Sequence, residues 1–319
     1  VAVKTPFTRE DFITILPQYD LGAYRDSEAI TQGTVQTNYI LSTSQGKFVF
    51  RYYECRSQKS VMFERDLLVY LRANDYPCPS PLSNVRGAFI GLYHEKPYML
   101  FTYLDGEPIE HPQTYHWQQL IQKAAELHQL TQRYTSPYTP HRQNYTPEVC
   151  HRLAQAEAQK INTSDAYEKL GWLAHELTEI DLPQALPLGI CHGDFHFSNA
   201  LFHHDELVAL LDFDDANHTF LTFDLVGLIE YWAWPHSADS LILEKARWVV
   251  QEYSKHRQLS HIEQRHLYDV YILSIFFDAI WYFHRGTASD CREKRKIDSL
   301  RTLGRQGLFE GLFASNHSQ

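Results

Sequence analysis

From Ile190 to Asn199 the chain reads ICHGDFHFSN, and shortly afterwards LLDFDDAN, ending at Asn217. Between them these stretches hold the side chains with the greatest chemical reach in the sequence. Asn199 and Asp212 are hard oxygen donors, and a magnesium ion carrying nucleotide phosphates takes one or two such protein oxygens beside water and phosphate. Asp194 then remains as a carboxylate that can accept the proton of a hydroxyl attacking a phosphoryl group. Taken as a strand, LVALLDFDD places Val208, Leu210, Asp212 and Asp214 on one face by its period of two, so the acids carry an apolar face to the rim of a site.

Two other readings use the same residues. His192, Asp194 and His196, with His203 and His204 nearby, offer imidazoles to zinc or iron in a hydrolytic centre, although nothing else in the chain completes one. The blander possibility is a set of loop-capping Asp and Asn residues and satisfied histidines. Metal–phosphate chemistry is the preferred reading.

The whole chain limits what such a site serves. At 319 residues it favours two lobes over one core, and 44% hydrophobic with 14% aromatic residues is ample for globular packing. A formal charge of −10 disfavours nucleic acid and anionic membranes as partners. The basic run Arg292, Lys294, Arg295 and Lys296 reads as a solvated helix face. Five widely spaced cysteines with no C-x-x-C pair indicate neither a disulfide framework nor a zinc knuckle, and read as small reduced core residues. The N-terminus lacks an apolar signal core, and YILSIFFDAIWYF is too short to span a bilayer and is broken by Asp278. The expectation is a soluble, cytoplasmic protein.

These residues must be positioned by surrounding elements. A short helix is expected over Thr8–Tyr19, then a small antiparallel sheet in SEAITQGTVQTNYILSTSQGKFVFRYYE around its Ser-Gln-Gly turn. A helix from about Ser57 to Arg72 stops at YPCPSP, followed by strands near Phe89–Tyr93 and Tyr98–Tyr103. From Thr114 the pattern turns helical, at Tyr115–Gln132, Pro147–Lys160 and Asp165–Ile180. It is interrupted once, where LGIC and LVALLDF flank a polar turn at His203–Glu206 in a hairpin-like arrangement; only helices follow, to about Phe313. The division is expected at Leu104–Gly106, giving a nucleotide-binding domain over 1–104 and a helical catalytic and substrate domain over 105–319.

Upstream, Arg51 interrupts the apolar strand GKFVFRYYE, where its charge needs a partner. Val61, Leu68 and Leu71 form a stripe at helical spacing and Glu64 lies on it, so a carboxylate faces inward and an Arg51–Glu64 pair is expected. An edge-strand arginine snorkelling outward is the alternative. Gly33 falls in the turn between the first two strands, with the hydroxyls of Thr34 and Thr37 at hand; these and backbone amides could contact phosphate, but no full G-x-G-x-x-G is present and an ordinary hairpin turn explains it equally.

HGDFHFSN followed by LLDFDD resembles the catalytic and metal loops of the aminoglycoside phosphotransferase and choline kinase superfamily, relatives of the protein kinases. The resemblance implies an α+β, bilobal protein-kinase-like fold, with a small antiparallel-sheet N-lobe, a mostly helical C-lobe and ATP in the cleft. It implies Asp194 as catalytic base, Asn199 and Asp212 as Mg2+ ligands in the catalytic set, and Asp224 in FDLVG as a buried brace for the catalytic loop. Arg51 and Glu64 then match the strand lysine and helix glutamate of kinases, with arginine replacing lysine. Thr102 and Leu104 fall in the segment offering backbone groups to adenine, and the Leu-His of AAELHQLT is a structural pair.

The first hundred residues look closer still to type II homoserine kinases, through TREDF, YDLG, NYILSTSQGKFVFRYYE and NDYPCPSP, whereas HGDFHFSN and DFDDAN depart from that family's usual loops. The acceptor is thus a small-molecule hydroxyl, with homoserine or a related amino alcohol the leading expectation. Arg247, Arg285 and Lys294 are candidate cations for an acceptor carboxylate. An aminoglycoside or choline-type cation would suit the acids and aromatics around Asp214, Asp215 and EYWAW (230–234), and a protein serine or threonine would need an open groove. A nucleotide-binding pseudokinase module is the alternative of another class, although Asp194, Asn199 and Asp212 are all present.

Overall fold

The computed structural model describes residues 5–31, 35–235, 238, 240–281 and 283–314. The chain separates into two compact units. The first comprises residues 1–111, 135–142 and 197–214, and the second 112–134, 143–196 and 215–319. A cut in sequence at 104/105 would part 135–142 and 197–214 from the unit they pack with.

The first unit opens with helix α1 (Arg9–Ile15), capped by a reciprocal Thr8–Asp11 box that satisfies two otherwise unbonded amides. Strands β1 (Tyr24–Ile30), β2 (Thr37–Thr43) and β3 (Gly46–Tyr52) form the expected meander. Helix α2 (Gln58–Ala73) follows, its start fixed by the Ser57 hydroxyl accepting the Ser60 amide. The two-residue β4 (Pro81–Leu82), β5 (Ile90–Tyr93) and β6 (Lys96–Thr102) complete an antiparallel sheet in the order β1-β2-β3-β6-β4, with β5 also on β6. Phe7, Phe12, Phe50 and Tyr52 pack edge-on or stacked beneath it, with Phe7–Phe50 centroids 4.8 Å apart. Such pairs add to the burial of their area.

The second unit is built from α3 (Thr114–Thr131), α4 (Pro147–Ile161), α5 (Ser164–Leu177) and β7 (Leu188–Cys191). Two further strands, β8 (Ala200–His203) and β9 (Glu206–Leu210), pair as a hairpin that belongs to the first unit. The chain then returns to the second unit as β10 (Asn217–Phe220), α6 (Thr222–Ala233), α7 (Leu243–His256), α8 (His261–Trp281) and α9 (Arg292–Phe313). Helix α9 is broken at Gly304, whose φ of 73° only glycine adopts readily.

The strands of this middle region correct the sequence reading. LGIC does not pair with LVALLDF. It pairs as β7 with β10, a strand absent from the expectation, while ALFH supplies the hairpin partner. Nor do the acids continue a strand face: β9 ends at Leu210, Asp212 takes a left-handed φ of 62°, and Phe213–Asp215 is a 3-10 turn. Four short strands of similar length lie within about thirty residues here, and local pattern alone does not fix which of them pair. Four cysteines are buried and Cys55 is exposed, and all five are free thiols. Among the described residues, no helix is long and apolar enough to cross a membrane.

Candidate active site

The loop carrying Asp194 is held from beneath. After β7 the backbone amides of His192 and Gly193 donate to the two oxygens of Asp224 at 2.7 and 2.9 Å. Asp224, in the first turn of α6, also bonds the His128 Nε2 at 3.0 Å, and the His128 Nδ1 meets the Tyr253 hydroxyl at 2.6 Å. His128, His192, Asp224 and Tyr253 are buried, so each bond among them removes what would otherwise be an unpaired polar group in the core. Gly193 has φ 84°, and a Cβ there would meet the Tyr145 hydroxyl at 3.0 Å and the Asp215 carbonyl at 3.3 Å; the turn requires glycine. The Asp194 amide donates to the His192 Nδ1 at 3.2 Å, and Asp194 itself is exposed. A rigid, buried brace thus presents a carboxylate at the surface of its unit. His196 stacks on Tyr231 with centroids 4.0 Å apart, and burial lowers its pKa against the pull of Asp194, which favours the neutral imidazole.

In the first unit the β8–β9 hairpin explains how residues thirteen apart in sequence meet. Pairing of Ala200 with Leu210 sets Asn199 and Asp212 just beyond the same end of the hairpin, and the Leu211 amide donates to the Asn199 carbonyl at 2.6 Å. Arg51 reaches the same place from the middle of the sheet. Its Nη1 lies 3.0 Å from the Asp212 Oδ1 and 3.5 Å from the Glu64 Oε1, and its Nε donates to the Asn38 Oδ1 at 3.0 Å. Burial works against the guanidinium charge, but Asp212 and then Glu64 outweigh it and keep Arg51 protonated. Glu64 is buried on the α2 stripe beside Val61, Leu68 and Leu71, so the inward carboxylate and its arginine partner are both present as expected.

Asp214 has a different role. Its carboxylate is gripped by Arg56 through Nε at 2.9 Å and Nη2 at 3.1 Å, and by the Gln36 amide at 2.8 Å. Burial opposes its charge, but Arg56 outweighs this and holds the carboxyl below the usual range. Arg142 adds bonds to the carbonyls of Phe213 and Asp214 and to the Ser60 hydroxyl. Both Asp214 oxygens are engaged, so the residue fastens the loop, whereas the Asp212 side chain is 45% exposed. Gln36, Arg56 and Arg142 were not legible as site residues. They come from three separate segments, and no local periodicity links them to 212–214.

Residues 26–259 match the phosphotransferase enzyme family. The chain belongs to the phosphotransferase enzyme family. Curated relatives include a homoserine kinase of Rhodospirillum rubrum, 32% identical over 82% of this chain and 81% of that protein. A homoserine kinase of Bartonella henselae is 28% identical over 82% of each chain. Among solved structures, an amicoumacin kinase in complex with AMP-PNP and Ca2+ aligns with a TM-score of 0.68 at 14% identity, covering 95% of this chain and 94% of that one. Choline kinase from Cryptosporidium parvum aligns with 0.65 at 15% identity, over 94% and 98%. At such identities the structural likeness speaks to the fold, which is protein-kinase-like and α+β. The family member described here is a small-molecule phosphotransferase with an alcohol group as acceptor.

Within this phosphotransferase the rival zinc reading finds no support. The His192 ring is engaged by its own loop and the His196 ring by Tyr231, while the rings of His203 and His204 lie against each other, tilted, at the hairpin turn. Among the described residues, the group with metal-ligating geometry is instead His128, Cys191 and Asp224. There both ring nitrogens are already hydrogen-bonded, and burial and the Asp224 charge push the Cys191 thiol far above its ordinary pKa. A protonated thiol and a saturated imidazole make a structural knot, not a zinc centre.

Other expected contacts fare unevenly. Gly33 and Thr34 lie outside the described residues. The Thr37 hydroxyl is buried and donates to Glu54 at 2.6 Å, so it serves the sheet edge and not a phosphate. The Thr102 amide, at the end of β6, donates to the Ser80 carbonyl at 3.1 Å, which commits one of the backbone groups expected to face adenine; Leu104 follows two residues beyond the strand. Lys294 pairs with Asp298, and the Arg247 Nε donates to the Gly311 carbonyl at 2.6 Å. Lys296 is buried against Glu230, so the basic run is not uniformly a solvated face.

Glu64 provides a pH test. Burial drives its carboxyl up to about 7, against the pull of Arg51, and its Oε2 is buried without a partner. The folded state therefore holds this proton more tightly than the unfolded chain. The resulting stability, on the order of 3 kcal/mol, is complete below the unfolded pKa near 4.5 and is lost as pH rises through about 7. Melting temperatures followed from pH 5 to 8 should fall for the wild type relative to Glu64→Gln. A variant that instead loses ground as pH rises would mean that the ion pair with Arg51 outweighs burial.

Proposed function

We propose that this phosphotransferase moves the γ-phosphate of ATP to the hydroxyl of a small amino alcohol, with homoserine as the leading acceptor. The observation that carries the reading is Arg51 bridging Glu64 and Asp212. It brings a fixed guanidinium, suited to gripping phosphate oxygens, into contact with a metal-capable carboxylate. The identity with homoserine kinases supports the choice of acceptor.

The donor set fits magnesium. Asn199 and Asp212 contribute hard oxygens at one end of a hairpin, while both Asp214 oxygens are engaged by Arg56 and Gln36. Bound there, Mg2+ would neutralise charge on the nucleotide phosphates. In this reading Arg51 orients the phosphates, and Glu64 and Asn38 keep the guanidinium in place. Asp194 accepts the proton of the acceptor hydroxyl as that oxygen attacks, with Asp224 fixing the loop beneath it. Catalysis rests on positioning and charge, with no covalent enzyme intermediate. Residues 1–104 supply the nucleotide-binding part and 105–319 the catalytic and acceptor part. A cytoplasmic location, where ATP is at hand, fits this chemistry, and neither nucleic acid nor membrane is a partner.

The test is direct. The protein is incubated with ATP, magnesium and a panel of homoserine, choline, ethanolamine, aminoglycosides and protein substrates, and the phosphorylated product is identified by mass. Phosphohomoserine is the expected product. Melting-point increases with ATP and magnesium but no transfer to any acceptor would replace the reading with that of a nucleotide-binding module.

A further inference from the structure

Two stretches of chain, residues 135–142 and 197–214, pack with the first unit although the segments before 135 and after 142 belong to the second. The later stretch carries Asn199 and Asp212. The earlier one supplies no side chain to the reaction described above, yet it ends in Arg142, a buried arginine that meets the later stretch directly. Its Nη2 donates to the Phe213 carbonyl at 3.3 Å and also to the Asp214 carbonyl. Its Nη1 donates to the Ser60 hydroxyl at 3.0 Å, and the guanidinium lies over the Phe63 ring, 5.2 Å from the centroid.

We propose that Arg142 is a positioning residue for magnesium binding: by joining the first turn of α2 to the 213–214 turn, it fixes the two carboxylates that hold Arg51, Glu64 and Asp212. The inference rests on the reading of Asp212 as a metal oxygen. Connectivity is the first support. Ser60 stands one helical turn before Glu64 on α2, and Phe213 directly follows Asp212. The contacts therefore close a ring, from Arg51 through Glu64, Ser60, Arg142, Phe213 and Asp212 back to Arg51. A shift of α2 against the turn, which would change the 3.5 and 3.0 Å separations of Arg51 from Glu64 and Asp212, has to break bonds to Arg142.

The backbone is the second support. Asp212 has a φ of 62°, a left-handed conformation that residues with a Cβ adopt at a cost. Its side chain is 45% exposed, so packing does little to aim it and the main chain must. Arg142 holds that main chain through the two carbonyls that follow. The third support is the shape of the group. A guanidinium carries five donors in a rigid fork and serves acceptors on two segments at once, which an ammonium on a flexible stem does not do in fixed geometry. Arg56 and Gln36 hold the turn by a different handle, the Asp214 side chain. With that grip intact, replacing Arg142 leaves the turn attached and loosens the conformation that aims Asp212.

The experiment measures ATP affinity by calorimetry as a function of MgCl2 concentration, beside the melting temperature, for the wild type, Arg142→Lys, Ser60→Ala, Asp212→Asn and Arg142→Lys combined with Asp212→Asn. Arg142→Lys should raise the magnesium concentration needed for half the affinity gain by about tenfold, the lower end of what loss of a group supporting a metal ligand costs. Ser60→Ala removes one arm of the clamp and should raise it by about threefold, the worth of one neutral hydrogen bond. Because Arg142 acts through Asp212, its effect should shrink to about twofold once Asp212 is asparagine. A merely structural arginine would lower the melting temperature and leave the magnesium requirement of the folded protein where it was. That result in Arg142→Lys, or in Ser60→Ala should the lysine variant not fold, overturns the inference, as does a shift of undiminished size in the Asp212→Asn background. If Asp212→Asn itself leaves the metal dependence unchanged, it is the reading of Asp212 as a ligand that fails.

Discussion

Asp194→Asn should abolish turnover while leaving nucleotide binding almost untouched. The variant keeps the size and hydrogen-bonding reach of the side chain and loses the capacity to take a proton. Loss of a positioned general base costs about 10²–10⁴-fold in rate. The fold should not respond, because Asp194 is exposed while the brace beneath it, Asp224 bonded to the amides of His192 and Gly193, is unchanged. The measurements are kcat with the identified acceptor, the ATP dissociation constant and the melting temperature. A kcat within threefold of wild type would remove Asp194 from the base role. A drop in melting temperature of several degrees would show instead that the loop depends on its charge.

The second large effect is expected at Asp212. Replacing it with alanine takes away a proposed magnesium oxygen and the nearer of the two carboxylates on Arg51, at 3.0 Å against 3.5 Å for Glu64. Activity should fall by about 10³-fold, and the magnesium-dependent part of ATP affinity should disappear, since phosphoryl transfer relies on positioning and charge neutralisation. Asp212→Asn separates the two losses. It retains an oxygen that can accept from Arg51 but lowers the charge available to the metal, so it should still show weak magnesium dependence, shifted to higher concentration. The decisive measurement is ATP binding titrated against magnesium for each variant. An unchanged metal dependence in Asp212→Ala would take this residue off the ligand set. Stability is a poorer guide, because Asp212 occupies a left-handed backbone position that alanine tolerates less well than aspartate or asparagine.

The contrast between Asp212 and Asp214 marks the limit of reading by pattern. In sequence the two are near equivalents, both carboxylates at the end of an apolar run. Period-two logic assigned them to a common face, and it failed because the strand ends at Leu210 and the backbone turns left-handed at Asp212. One carboxylate is left outward and the other is locked by Arg56 and Gln36. The Glu64 expectation succeeded for a related reason: α2 is an uninterrupted sixteen-residue helix, and over that length 3.6-residue periodicity specifies a face without reference to anything outside it.

What the amino-acid sequence determined by itself was local and chemical. It supplied the helices and their caps, the β1–β2–β3 meander, the inward Glu64, the charged Arg51 and the spaced Asp194, Asn199 and Asp212, because propensity, periodicity and residue chemistry act over a few turns of chain. Tertiary structure decided what depended on distant segments meeting. It paired β7 with β10 and β8 with β9, brought Arg56 and Gln36 to Asp214, and buried Lys296 against Glu230 within a run that reads as surface. Each of these is a long-range pairing whose partner is chosen by packing and charge compensation in a desolvated interior, and neither force leaves a periodic trace in the primary structure.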